Sequence, residues 1–111
     1  MNTMESRPRD EKYEQLVTQY VASLPDKLAA LERAMTAGRA GDASGLAEAR
    51  EIAHRIHGTG GCYGLRELSE AAAVLDDVLT SMKRGLGGTW MEADSAASLV
   101  RAVAEGARAR P

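Results

Sequence analysis

The chain has no phenylalanine, one tryptophan, one cysteine and three prolines among its 111 residues. With so few aromatics, the interior has to be built from Leu, Ala, Val, Ile and Met. The single cysteine, Cys62, leaves no partner for an internal disulfide and fits a reducing compartment. Its default reading is a small buried apolar group. No apolar run approaches the roughly 20 residues that cross a bilayer, and the first residues are polar and charged, unlike a secretory leader. The expectation is a soluble cytoplasmic monomer with no membrane partner. A formal charge of −2, with acids and bases interspersed, gives no basic stripe and argues against a nucleic-acid partner. A Gly-rich nucleotide loop is missing too, so no ATP site of its own is expected. Strand signals are essentially absent, and the length corresponds to one domain.

What is present is helical periodicity. Residues 1–9 are polar, contain Pro8, and read as a flexible tail ahead of a helical domain over 10–110. Tyr13, Leu16, Val17, Tyr20 and Leu24 recur at helical spacing and predict a first, short helix. Pro25 interrupts it and suits the opening of a second helix, marked by Leu28, Leu31, Ala34 and Met35. Gly38 to Asp42 form a turn, and Asp42 or Ser44 can cap a third helix that ends near Gly61 to Gly64. Leu65, Leu68, Ala72, Leu75, Leu79 and Met82 keep a three-four spacing through a fourth helix. Gly85, Gly87 and Gly88 break it. Thr89-Trp90-Met91-Glu92 fits a capping box, and Ala93, Ala96, Val100, Val103 and Ala107 line the last helix. Trp90 is expected to pack against the end of the bundle. The short turns predict an all-α fold: an antiparallel up-down four-helix bundle with a short extra N-terminal helix.

One stretch stands apart. Ala53-His54-Arg55-Ile56-His57-Gly58-Thr59-Gly60-Gly61 reads as helix, yet it holds three glycines and both histidines of the chain. Each interior glycine costs about 1 kcal/mol against alanine, which suggests that something approaches the backbone there. At roughly 100° per residue, Leu46, Ala49, Ile52, Ala53 and Ile56 form the core stripe. His54 falls off it, toward solvent. Gly58, one turn on, and Gly61 lie on the same side, while His57 and Arg50 flank the imidazole. An exposed imidazole on a rigid helix, beside bare backbone and basic groups, suits a nucleophile that accepts a bulky anion from a protein partner.

These residues resemble the signature of histidine-containing phosphotransfer (HPt) domains. His54 is followed in register by Ile56, Gly58, Thr59, Gly64 and Leu68. The place usually held by Lys is taken by His57, a departure from the pattern. The resemblance spans nearly the whole chain. It implies a helical bundle whose histidine, here His54, relays phosphoryl groups to or from a receiver-domain aspartate in a two-component phosphorelay. The implied partners are a response-regulator receiver, a hybrid histidine kinase, or both. It implies no cofactor on this chain, the Mg²⁺ lying in the receiver's acidic pocket. His54 is then the phosphoacceptor, with His57, Gly58, Gly61 and Arg50 facing the phosphoryl group or the partner.

Two other readings compete. Glu51, His54 and His57 run E-x-x-H-x-x-H, a spacing found in metal-binding bundles. Glu51 and His57 lie roughly 120° apart on the wheel, however, and the fourth helix offers Glu67, Glu70, Asp76 and Asp77 without a matching histidine. The third reading is a bundle that binds a partner without carrying phosphate, supported by the missing Lys. At single residues the plain alternatives are a solvated Arg50, a bystander His57 at the core edge, and glycines at 61 and 64 that only end the helix.

Overall fold

The computed structural model describes the backbone of residues 3–109 and the side chains of residues 11–109. It contains four helices in chain order: α1 (Thr3–Arg39), α2 (Ala43–Cys62), α3 (Arg66–Arg84) and α4 (Trp90–Ala109). No strand occurs among the described residues.

The first two helices expected from the sequence are one. α1 runs unbroken for 37 residues and passes through Pro25. Mid-helix proline removes one backbone hydrogen bond and crowds the preceding turn. Here it sits on the exposed side, while Tyr20, Leu24, Leu31, Ala34 and Met35 stay in helical register on the buried side. Continuity of that stripe outweighs the local penalty. The helix flank near Pro25 is also tied by side chains: Ser23 Oγ donates to the Tyr20 carbonyl at 2.6 Å, and Lys27 Nζ donates to Ser23 Oγ at 2.9 Å. The separate N-terminal helix of the sequence reading is therefore absent as an element. α1 also begins at Thr3, inside the segment expected as a tail, and residues 1 and 2 lie outside the described residues.

The remaining boundaries follow local chemistry. Asp42 caps α2 by accepting from the Ser44 backbone N–H and its hydroxyl, and these bonds hold its carboxyl below the usual aspartate value. Tyr63 closes the helix, and Gly64 follows with φ +72°. α3 ends on Gly85, also left-handed, as a residue without Cβ allows. At α4, Thr89 Oγ1 accepts from the Glu92 N–H at 3.1 Å, the expected cap.

A single core links all four helices. Its stripe on α2 is Ala49, Ala53 and Ile56; on α3 it is Leu68, Ala72, Leu75 and Leu79; on α4 it is Ala93, Ala97, Val100 and Ala104. Tyr13 and Leu16, expected on the α1 stripe, are exposed. Trp90 caps one end: a Cβ at Gly38 would lie 2.8 Å from its ring, and the Arg39 guanidinium stands 5.4 Å above it. Arg39 and Glu32 on α1 bridge to Asp94 and Arg101 on α4. These exposed pairs contribute at most about 1 kcal/mol each.

α2 approaches α1 very closely at Gly45. A Cβ there would lie 2.6 Å from the Gly38 nitrogen and 2.8 Å from the Ala34 carbonyl oxygen. Both are backbone atoms on a packed helix and cannot swing aside. Gly45→Ala is therefore expected to force α1 and α2 apart and to destabilise the fold by about 1–3 kcal/mol, although alanine is the better helix former. Urea unfolding followed by circular dichroism measures this; a midpoint at or above that of the wild type would contradict it.

Candidate functional site

The site is built on the seam between α2 and α3. Ala49, Ala53, Ile56 and Gly60 point inward along α2, so Arg50, His54 and His57 fall on the flank that meets α3. Cross-seam hydrogen bonds join Arg50 to Asp76 and Thr80, His54 to Asp76, and His57 to Ser69. Positions on α3 fall as those on α2 rise.

His54 has 57% of its side chain exposed, and its Nδ1 lies 2.9 Å from Asp76 Oδ2. A carboxylate can only accept, so Nδ1 carries a proton and donates it. In the neutral ring Nε2 then keeps its lone pair. Asp76 itself is only 13% exposed. Its other oxygen, Oδ1, accepts from Arg50 Nε at 3.2 Å and from Thr80 Oγ1 at 3.1 Å. The two oxygens are thus divided: one faces the imidazole, the other is occupied by neighbours.

His57 is half-buried and anchored to α3. Its Nδ1 lies 3.0 Å from the Ser69 carbonyl and 3.0 Å from Ser69 Oγ, which spends its own proton on the His57 carbonyl at 2.7 Å. Nδ1–H is therefore the donor in this ring too. Only Nε2 remains for an outside group, and it donates only when the ring is the doubly protonated cation.

The glycines divide by role. A Cβ at Gly58 would meet nothing within 4 Å, so no packing inside the chain requires glycine there. Gly60 faces α3, where a Cβ would lie 3.4 Å from the Ser69 nitrogen. At Gly61 a Cβ would lie 3.4 Å from Ser69 Oγ, on an exposed position still within α2. Gly64, not Gly61, takes the left-handed turn. Thr59 turns to α1: its Oγ1 donates to the Arg55 carbonyl at 2.7 Å and lies 2.7 Å from Tyr20 Oη, whose hydroxyl burial shifts above the ordinary tyrosine value. Cys62, expected to be buried, is exposed, because it lies on the face of α2 turned away from the stripe of Ala53, Ile56 and Gly60.

The structure gathers Arg50, His54, His57 and Gly61 along one seam, with Gly58 beside it. Sequence reading missed the α3 half: Asp76, Thr80 and Ser69. In the sequence Asp76 is only one acid among several on its helix. The usable signal was its place directly after core residue Leu75, on the edge of the stripe rather than opposite it. Glu51 pairs with Arg55 on the next turn. Among the described residues no group of three or more His, Cys, Asp or Glu side chains is arranged to hold a metal ion, and no helix is long and apolar enough to cross a membrane.

Comparison with known proteins places the chain in a family. No curated protein and no solved structure gives a significant match to the chain. The family model described as Hpt domain, in contrast, matches residues 15–109, from the first third of α1 to the end of α4. With four helices and a seam that carries an exposed histidine, the chain belongs to the Hpt domain family.

Proposed function

We propose that this protein is a phosphorelay intermediate that accepts a phosphoryl group on His54 from a receiver-domain aspartate and returns it to another. The observation that carries the reading is the pairing of an exposed His54 ring with Asp76 at Nδ1, which in the neutral ring reserves Nε2 as the nucleophile. The family supports a role in two-component phosphotransfer. The order of the cross-seam pairs supports an antiparallel up-down bundle. The partners on this reading are a receiver domain, a hybrid histidine kinase, or both, meeting a monomer in the cytoplasm.

In the accepting step the Nε2 lone pair forms the N–P bond as the aspartyl O–P bond of the partner breaks. The partner regains its carboxylate. The imidazole keeps its Nδ1 proton and becomes an N-phosphoryl imidazolium, whose positive charge faces the Asp76 carboxylate. Return of the group to an aspartate is the same step reversed, with neutral imidazole as the leaving group. Metal and the remaining charge neutralisation come from the partner, whose acidic pocket holds Mg²⁺ on this reading. Phosphoryl transfer depends mainly on alignment and electrostatics, so a nucleophile, its positioning groups and a docking face suffice here. His57 contributes a donor at Nε2 toward the phosphoryl oxygens when cationic. Gly58 and Gly61 let the receiver approach, and Arg50 supplies positive charge on the seam. On this reading phosphate arrives by transfer from the partner.

His54→Gln is expected to abolish phosphate acceptance and to change stability by less than about 1 kcal/mol, since the side chain is exposed and fills no core space. The assay is incubation with phosphorylated receivers and detection of acid-labile, base-stable phosphate on the chain. Acceptance by the variant would remove His54 from the reaction.

Gly58→Leu is expected to block transfer while raising helix propensity by a little under 1 kcal/mol. The space above Gly58 is empty in the free protein, so the protein alone tolerates leucine and only a docked partner collides with it. Loss of transfer with a melting temperature at or above that of the wild type is the expected result; wild-type transfer rates would show that no partner passes over this face.

A further inference from the structure

We infer that Arg50 and Thr80 are positioning residues for the phosphotransfer, acting on His54 through Asp76 to keep the proton on Nδ1 and the lone pair on Nε2. The inference rests on the His54 reading above and deepens it.

Asp76 sits on α3 within one turn of Thr80, and its carboxylate has two oxygens with different neighbours. Oδ1 receives Thr80 Oγ1 at 3.1 Å and Arg50 Nε at 3.2 Å. Arg50 Nε also lies 3.3 Å from Thr80 Oγ1, so the three groups close a small ring of contacts. Oδ2 is left to His54 Nδ1 at 2.9 Å. A free aspartate can rotate about its terminal bond and offer either oxygen. With Oδ1 fixed from both helices, that rotation is arrested and Oδ2 is aimed at the imidazole. The clamp spans α2 and α3, so it also fixes the distance between the nucleophile's helix and its acceptor's.

The clamp addresses a specific chemical problem. A neutral imidazole can carry its proton on either nitrogen. If Nε2 held it, the exposed nitrogen would have no lone pair and could not attack phosphorus. A histidine restrained by a carboxylate at Nδ1 avoids that state, the logic by which an aspartate sets the tautomer in hydrolytic triads. Arg50 has a second effect. The Asp76 carboxylate lies directly behind the ring that meets an incoming anionic phosphoryl group. A guanidinium bonded to that carboxylate offsets its negative charge, so the acceptor that holds Nδ1 does not repel the substrate. This assigns Arg50 a role through Asp76, apart from any contact with phosphate.

The test compares wild type with Arg50→Gln, Thr80→Val, the double variant and Thr80→Ser. Each is examined by ¹⁵N NMR of the His54 ring, which reports which nitrogen carries the proton, and by the rate of transfer from one phosphorylated receiver. Melting curves confirm that each variant is folded. The expected result is a wild-type ring protonated at Nδ1, and a double variant in which a measurable share of the proton has moved to Nε2. Transfer in that variant falls about tenfold, and Thr80→Ser retains wild-type values in both measurements. An unchanged tautomer in the folded double variant overturns the clamp. A changed tautomer with an unchanged transfer rate overturns its part in the reaction. Wild-type protein that takes phosphate from no receiver overturns the phosphorelay reading itself, while the NMR comparison still decides whether Arg50 and Thr80 hold the ring.

Discussion

Close approach of α2 to both of its neighbours is the constraint on which the rest of the structure depends. Toward α1, Gly45 leaves no space for even a methyl group against the Gly38 nitrogen and the Ala34 carbonyl. Toward α3, Gly60 lies beside the backbone of Ser69. Between them Ala49 and Ala53 are fully buried. A helix wedged by such small residues has little freedom to roll about its own axis. That matters because a small rotation would carry His54 away from Asp76 and turn Nε2 toward the seam. Packing of this kind confers precision on a side chain that itself stands mostly in water.

The same seam treats the two histidines alike. Each donates Nδ1–H to an oxygen on α3, a carboxylate for His54 and a carbonyl with a hydroxyl for His57. Burial then separates them. His54 is open and its acceptor carries charge, which suits the phosphoacceptor role proposed for it. His57 is half-buried against neutral acceptors, which suits a ring that keeps its place. A lysine in its position would extend a charge into solvent on a flexible stem. The histidine gives up that reach and gains a fixed orientation.

Much of this was legible in the sequence because it lay on one helix. His54, Gly58 and Gly61 share a face by spacing alone, and the leucine stripe of α3 and the caps at Asp42 and Thr89 rest on local chemistry. What escaped depended on contacts between helices. Pro25 was read as a break, since proline is a strong local signal; whether a buried stripe on both sides overrides it is decided by packing. Asp76 was not legible because its acceptor role exists only once α3 lies against α2, and one-helix periodicity is silent about which acid meets which base. Residue-type preference puts Cys62 inside, whereas its place on α2 is the face away from the buried stripe.

Trp90 is the only tryptophan of the chain. Its ring is wedged over Gly38 where α1 turns toward α2, with Arg39 above it, whereas His54 lies roughly 12 Å further along α2 than Leu46, whose backbone nitrogen shares the Gly38 contact. The molecule therefore carries its optical probe apart from its reactive surface. Tryptophan emission follows the integrity of the bundle end, and a contact confined to the His54 ring leaves it unchanged. Conversely, a ligand-induced change in that emission would signal movement through the helices rather than contact at the imidazole.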